Sequence, residues 1–546
     1  MASDSKQHRA NRFSVFSIAV ALSAVWTLWI ICLPGCGNSQ EAYPNILLVS
    51  IDTLRADHLG CYGYDRDTSP ALDLLAEEGV CFEQAISASP WTLPSHMSIL
   101  TSLYAEQHKR AWKNLFPDVK LITLSDVLSA QGYRTQGFVA VPFLKEVYGF
   151  AQGFSGYEFQ NDIDAAAQTD KAIAWMDGLD RTGNSFFLFV HYFDPHAPYM
   201  APEPYRRRFT ADMAEFPLDI NVFKKNLTEE ERLFIQALYD AEIRYTDDHL
   251  GRLLAAFREK SDSENRVIVV VSDHGEEFWD HGGVDHGHTL YDELIRVPLI
   301  ISAPGRFPEG RVVKETVRTI DLMPTILSLC GIPIPDSCQG TSLVNFIREG
   351  TSPGQSAFSS SMVKGPEKKS IRTDDHKLIY NTLTLKSSLY DLKEDPGEQQ
   401  NIFERDQNIS ETLRMDMEKF MKTSFLAWQL LIVPDNKRSY SGEIKAQGVF
   451  LEVEARRLQV EKPANEPAGK QKKLLMLPVK ELEKEGKEVT HDISLSEDRK
   501  TLNFVFPPGR SPLLISFNIS PKDTPVECTF LMDGQPENNT VFLGSE

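Results

Sequence analysis

The chain has 546 residues, 42% hydrophobic and 25% charged, with a formal net charge of −20. That length exceeds one compact unit, and the composition excludes wholesale disorder. The acidic balance argues against nucleic acid as a partner and leaves any anionic substrate dependent on a locally positive site made by metal, histidine or helix ends.

Lys6, Arg9 and Arg12 precede an apolar-rich run from Phe13 to Leu33, long enough to span a bilayer. It ends in Leu33-Pro34-Gly35-Cys36, which resembles the lipobox of bacterial lipoproteins, in which the cysteine is acylated after cleavage. Pro34 stands where a small residue is usual, so the alternative for residues 1–35 is an uncleaved anchor helix. Either way the expectation is an exported, membrane-anchored protein, periplasmic or at the cell surface, held by a lipid on Cys36 or by a helix. Five cysteines follow: Cys61, Cys81, Cys330, Cys338 and Cys528. In an oxidising compartment Cys330 and Cys338 could close a short loop as a disulfide, and no zinc-type spacing is present.

From residue 45 short apolar runs alternate with helical periods. Strands are expected at 45–50, 135–139, 186–190, 267–271 and 297–302. Helices are expected at 69–79, 93–103, 124–132, 169–180 and 229–260, the last being the longest. Strands apolar throughout and separated by helices predict an α/β fold, a mainly parallel sheet sandwiched by helices, over residues 43–350. Residues 351–430 read as a small α+β subdomain: a loop at 352–369, antiparallel strands at 377–380 and 388–391, and a helix at 409–423. Residues 439–546 read as a β-rich accessory module, interrupted by a charged stretch at 461–473.

Chemistry gathers at the strand ends, where a doubly wound sheet places its ligands. The first strand runs into Asp52, Arg55 and Asp57. The strand at 186–190 runs into His191, Asp194 and His196, and that at 267–271 into Asp273, His274 and Glu276. His281, His286 and His288 follow. Carboxylates and imidazoles without thiolate suit a hard to borderline divalent cation, and Asp52, Asp273 and His274 are the best ligand set. Thr92 lies in SPWTLPSHMSILTS, at the start of a helix with Pro94 in its first turn. A hydroxyl there is inert unless a metal stabilises its alkoxide, and the helix end favours negative charge beside it.

Residues 45 to about 400 resemble the sulfatase family of the alkaline phosphatase superfamily. The resemblance rests on IDTLRADHLGCYGY, SPWTLPSHMSILTS, HYFDPHAPY, SDHGEEF and HGHTLYDELIRVPLI, with KLIYN and LYDLKEDPGEQQNI further on. It implies one divalent metal ion (Ca, Mn, Mg or Zn) on Asp52, Asp273 and His274, with Thr92 at the nucleophile position and His196 on the ester anion. The family's catalytic lysine has no clear counterpart, and His286 or His288 is the implied substitute. His191, His96 and Arg55 are the further substrate-binding candidates, Arg55 standing behind the ligands. Typical sulfatases carry Cys or Ser in a C/S-x-P-x-R motif that is oxidised to formylglycine. Here the corresponding residues are Thr92, Pro94 and His96, so formylglycine is not expected.

The expected function is a metal-dependent hydrolase of sulfate or phosphate esters acting through Thr92. Two alternatives remain. One is a phosphoryl or phosphoethanolamine-type transferase acting on an envelope lipid or glycan. The other is a surface binding lipoprotein that keeps the fold without the catalysis.

Overall fold

Runs of β-branched and aromatic residues with no polar face can only be buried when helices cover both sides of their sheet. The computed structural model of the chain describes residues 43–424 except 110–114, 116–120, 162, 180–184, 215, 218–226, 263–264, 351–353 and 361. Beyond 424 it describes the backbone of strands only. The first half contributes β1 (Asn45–Ile51), α1 (Pro70–Glu77), β2 (Val80–Phe82), α2 (Thr92–Thr101), α3 (Leu124–Ala130), β3 (Arg134–Val139) and β4 (Gly156–Phe159). Then follow α4 (Ala165–Asp177), β5 (Phe186–Tyr192), α5 (Glu229–Lys260), β6 (Arg266–Ser272), β7 (Leu299–Ser302) and β8 (Arg311–Val313).

These eight strands form one sheet in the order β8-β2-β7-β6-β1-β5-β3-β4. The central strand β1 is parallel to β5 and β6, and β3 continues parallel to β5 and β4. Only β7 runs against its neighbours, β6 and β2. Alternate side chains of β1 enter opposite cores: Ile46 and Leu48 on one face, Leu47, Val49 and Ile51 on the other. Each such buried side chain contributes roughly 1.5–3 kcal/mol. The expected strand at 297–302 is divided at Pro298, which has no N–H to give the ladder. Helix α5 covers one face, and its start is fixed by a reciprocal cap between Thr228 and Glu231.

The subdomain is an antiparallel sheet of β9 (Ala357–Ser359), β10 (Lys368–Arg372), β11 (His376–Asn381) and β12 (Lys386–Asp391), followed by α6 (Gln407–Ser424). Part of the expected 352–369 loop is therefore strand β9. In the module, strands 428–432, 513–520, 449–461 and 473–476 form one sheet, and 493–495, 501–506, 440–446, 526–532 and 535–536 another. The strand at 428–432 pairs with 513–520, so this module's pairing begins before residue 439. Cys330 and Cys338 do not form the expected disulfide: both are free thiols, Cys330 buried in the core and Cys338 packed at its edge. No helix among the described residues is long and apolar enough to cross a membrane. Cys36 and the expected anchor at 1–35 lie outside the described residues.

Candidate active site

Register does the positioning. Ser50 on β1 stands opposite His191 on β5 and Val271 on β6, so Asp52 and the Asp273–His274 pair leave the sheet side by side. Gly275 lets the chain turn there: a Cβ would lie 2.0 Å from the Glu293 carbonyl oxygen. On the other side of Asp52, Thr53 holds a left-handed conformation, φ 56°, with its hydroxyl buried and unpaired.

Helix α2 starts at Thr92, with Trp91 as its extended N-cap. Thr92 is thus the first helical residue, where its amide has no partner within the helix. The helix is keyed to the Asp273 turn by its polar side chains. The Ser95 hydroxyl donates to the Asp273 carbonyl at 2.6 Å, and Ser87 reaches the same oxygen at 2.5 Å. His96 Nδ1 lies 2.9 Å from the Thr92 carbonyl and 3.3 Å from Asp273 Oδ2, while its Nε2 lies 2.8 Å from Ser50 Oγ. Burial, and then the neighbouring imidazole of His191, push the His96 pKa down to about 3, so the ring is neutral. The stiff turn in SPWTLPSH therefore serves to fix Thr92 beside Asp273.

Asp52, Asp273 and His274 each bring one ligand atom within 4.8 Å of the others, and all three are fully buried. Both oxygens of Asp52, both of Asp273 and Nε2 of His191 are buried without a hydrogen-bond partner. Two carboxylates cannot both stay ionised in so dry a place without a cation or a proton between them. Burial and the charge on Asp52 push the Asp273 carboxyl well above the usual carboxylate range. Burial would do the same to Asp52, but the imidazoles around it, His191 first, hold it below that range. His274 Nδ1 is 2.9 Å from the Gly275 carbonyl, which leaves Nε2 as the lone-pair nitrogen. That nitrogen faces Asp273 Oδ2 at 3.2 Å, Thr92 Oγ1 at 3.3 Å and Asp52 Oδ1 at 3.5 Å. Burial, and then the charge of His286, hold His274 neutral. Unpartnered carboxylates plus a neutral imidazole fit a hard to borderline divalent cation.

A row of imidazoles continues from His274. The His286 ring lies 4.4 Å from it and 5.2 Å from His196. His286 Nδ1 is held between Glu276 Oε1 at 3.2 Å and Asp285 Oδ1 at 3.0 Å, and Tyr199 donates to the other oxygen of Glu276 at 3.3 Å. Burial opposes a charge on His286, but the two carboxylates outweigh it and raise its pKa to about 10. His196 Nδ1 is 2.6 Å from the Ala197 carbonyl, and the ring stacks on Phe193 at 4.5 Å. His191 accepts from the Ala140 amide at 3.4 Å, which turns Nε2 toward Asp52 Oδ2, 3.5 Å away.

Two candidates are engaged elsewhere. His288 Nε2 lies 2.6 Å from Glu277 Oε2, so of the two histidines offered for the lysine position it is His286 that joins the cluster. Arg55 commits its guanidinium to Asp57, Asp280 and the Glu276 carbonyl, tying the loop after β1 to the loop after β6 rather than facing a substrate. A cavity of about 1060 Å³ touches Arg55, Asp57, Asp280 and His281, but neither Thr92 nor His274 nor His286 lines it. Sequence reasoning missed Ser87, Ser95 and Asp285. Asp285 carried one signal, a carboxylate directly before a histidine; the two serines carried none.

A sheet that gathers a hydroxyl, two carboxylates and imidazoles beyond its strand ends defines an ester-hydrolase type of centre. Residues 44–332, more than half of the chain, match the model of the family described as Sulfatase, and residues 279–423 match that of N-sulphoglucosamine sulphohydrolase, C-terminal. The chain belongs to the sulfatase family. It is 27% identical over 423 residues to the uncharacterized sulfatase YidJ of Escherichia coli (strain K12), covering 66% of this chain and 83% of that one. It is 26% identical over 433 residues to an arylsulfatase of Clostridium perfringens, covering 66% and 90%. Among solved structures, the phosphonate monoester hydrolase of Agrobacterium radiobacter superposes with a TM-score of 0.60 at 22% identity, covering 71% of this chain and 98% of that one. A protein solved with its substrate D-glucosamine-2-N,6-O-disulfate gives 0.61 at 21%, covering 70% and 98%. The family places the chain among sulfuric ester hydrolase-like enzymes of the alkaline phosphatase superfamily, which are generally dependent on a divalent metal.

Proposed function

We propose that the protein hydrolyses sulfate or phosphate esters through a covalent intermediate on Thr92. The supporting observation is the Thr92 hydroxyl, 3.3 Å from the His274 lone pair and beside the five unpartnered buried atoms of Asp52, Asp273 and His191. Asp52, Asp273 and His274 would hold one divalent ion, whose chemistry there is to stabilise an alkoxide and offset ester charge. The residues do the rest. The start of α2 presents unpaired amides beside Thr92, which favour the anion. His286, kept charged by Glu276 and Asp285, takes the part of the family's lysine, and His196 binds the ester oxygens with it. One of these two rings gives its proton to the leaving alkoxide. The Thr92 ester has no geminal hydroxyl through which to collapse, so water must attack sulfur or phosphorus, breaking the bond to Oγ1 and restoring the threonine.

Phosphorus deserves equal testing because a relative 28% identical over 403 residues is named a multifunctional alkaline phosphatase superfamily protein. The test is turnover of aryl sulfate, phosphate, phosphodiester and phosphonate substrates by protein truncated before residue 43. Thr92→Ala should lower kcat by at least about 10³-fold on whichever ester is cleaved, with the fold retained. Undiminished turnover of every substrate by that variant would sink the reading. Tethering to an exported membrane face through Cys36 is part of the same proposal; Cys36→Ser should abolish incorporation of labelled fatty acid.

A further inference from the structure

The turn that carries Asp52 is held by side-chain hydroxyls. Asp52 itself still belongs to the sheet, its amide donating to the Tyr192 carbonyl at 3.0 Å. Beyond it the chain leaves the strand, and the next three residues bond to two hydroxyls. The Thr53 carbonyl accepts from the Tyr239 hydroxyl at 2.7 Å, whose oxygen in turn accepts from the Arg55 amide at 2.9 Å. The Leu54 amide donates to Ser272 Oγ at 3.0 Å, and that hydroxyl donates to the His274 carbonyl at 2.7 Å. Thr53, Tyr239 and Ser272 are all fully buried. Thr53 is the strained member: φ 56° is a rare conformation for a β-branched residue, and its own hydroxyl, without a partner, does nothing to stabilise it. The bridge from Tyr239 on α5 does, by fixing the peptides on either side of residue 54. The Tyr239 ring is itself fixed, 4.9 Å from Phe278 and 5.7 Å from Tyr199.

We propose that Tyr239 is a positioning residue of the cation site: its hydroxyl keeps Thr53 left-handed and so keeps the Asp52 carboxylate turned toward Asp273 and His274. The inference rests on the cation site proposed above. The peptide before Asp52 is fixed by the Tyr192 carbonyl, so the direction of the Asp52 side chain depends on the peptide after it, whose tilt is set by Thr53. Without the bridge Thr53 relaxes toward negative φ, that peptide rotates, and Asp52 Oδ1 leaves its place 3.5 Å from His274 Nε2. Groups that orient metal ligands from behind in this way govern affinity by about 10- to 100-fold.

Calcium and manganese ions, each alone, are titrated by calorimetry into chelator-stripped full-length protein. Tyr239→Phe keeps the ring in place and deletes only the hydroxyl; its Kd for the ion that binds should rise about 10- to 100-fold. Tyr62→Phe is the matched control, because the Tyr62 hydroxyl also bridges two backbone groups, the Phe82 carbonyl at 3.0 Å and the Leu299 amide at 2.8 Å, on strands β2 and β7. It should lower the Tm of the ion-free protein about as much as Tyr239→Phe and leave Kd unchanged. Thr53→Gly, for which φ 56° carries no penalty, should restore most of the affinity when combined with Tyr239→Phe. Should Tyr239→Phe fold poorly by itself, Thr53→Gly with and without it decides, the two then binding alike. A wild type that takes up neither ion removes the cation site itself. A wild type that binds, with Tyr239→Phe as tight or Tyr62→Phe equally weakened, overturns the role of Tyr239, and a double variant no tighter than Tyr239→Phe overturns the route through Thr53.

Discussion

Asp273 sets the charge balance of the site. Its two oxygens and those of Asp52 are buried without partners, and like charges so placed repel. A divalent ion bound there stabilises only the folded chain, by about 2.7 kcal/mol when present at a hundred times its dissociation constant. Chelation should therefore lower the Tm of the wild type by a few degrees, and excess divalent ion should restore it. Asp273→Asn removes one of the opposed charges and one ligand together. Its Tm should be indifferent to chelator and at least as high as that of the chelated wild type, while kcat falls at least about 10²-fold. Calorimetry with and without chelator checks this, and a wild type whose melting ignores chelator would contradict it. His286 teaches a related lesson at the same scale: its charge is set jointly by its chain neighbour Asp285 and by Glu276, ten positions back.

Among the elements, α5 was the most legible. Its apolar residues recur at helical spacing, Glu229, Glu230 and Glu231 open it, and its observed bounds are those expected. The strands β1, β5 and β6 announced themselves as unbroken apolar runs, and Asp52, Asp273 and His274 were visible because each follows such a run directly. What stayed hidden depends on contacts between distant residues. The partner of Arg55, Asp280, is 225 positions away, and the serines that key α2 to Asp273 look like any others. The edge strand β4 has half-exposed residues and no clear period. Helix α5 also carries Glu242, 3% exposed, whose carboxylate accepts from the Met200 amide in the loop bearing His196. Burial, and then the charge on Asp194, raise its pKa from 4.5 to about 8. The unfolded chain releases this proton near 4.5 and the folded chain keeps it until about 8, so stability should fall as pH rises between the two and level off above. Glu242→Gln is neutral throughout. Relative to wild type its Tm should gain a few degrees between pH 5 and about 8, in a series of melts at stepped pH. Parallel curves for the two proteins would refute the assignment.

At the scale of the molecule, the sheet of β9 to β12 matters because it reaches the candidate site. The amides of Val363 and Lys364 both donate to the Gly287 carbonyl, one residue past His286, and Lys364 pairs with Asp285. This sheet is held to the larger unit by apolar packing of Ala357, Ile379 and Tyr390 with Ile86, Leu290 and Leu294, and by a buried ionic network. Lys377 on β11 is fully buried between Asp292, at 2.7 Å, and Glu398, at 2.8 Å, and Arg372 on β10 also meets Asp292, at 3.1 Å. Burial alone would raise the Asp292 carboxyl, but Arg372 and Lys377 hold it below the usual range, so it remains an anion although most of its surface is withdrawn from water. Removing one partner from such a network costs about 3–5 kcal/mol, far more than an exposed pair. Lys377→Met keeps the length of the side chain and deletes the charge. It should lower the Tm by several degrees and make the chain between 354 and 424 the first to be cut in limited proteolysis, because the loosened sheet separates before the parallel core. Activity should fall with it, since the loop at 362–364 no longer steadies Asp285 and, through it, His286. Lys393→Met, at an exposed pair with Asp375, is the matched control and should leave both melting and cleavage pattern within error of the wild type.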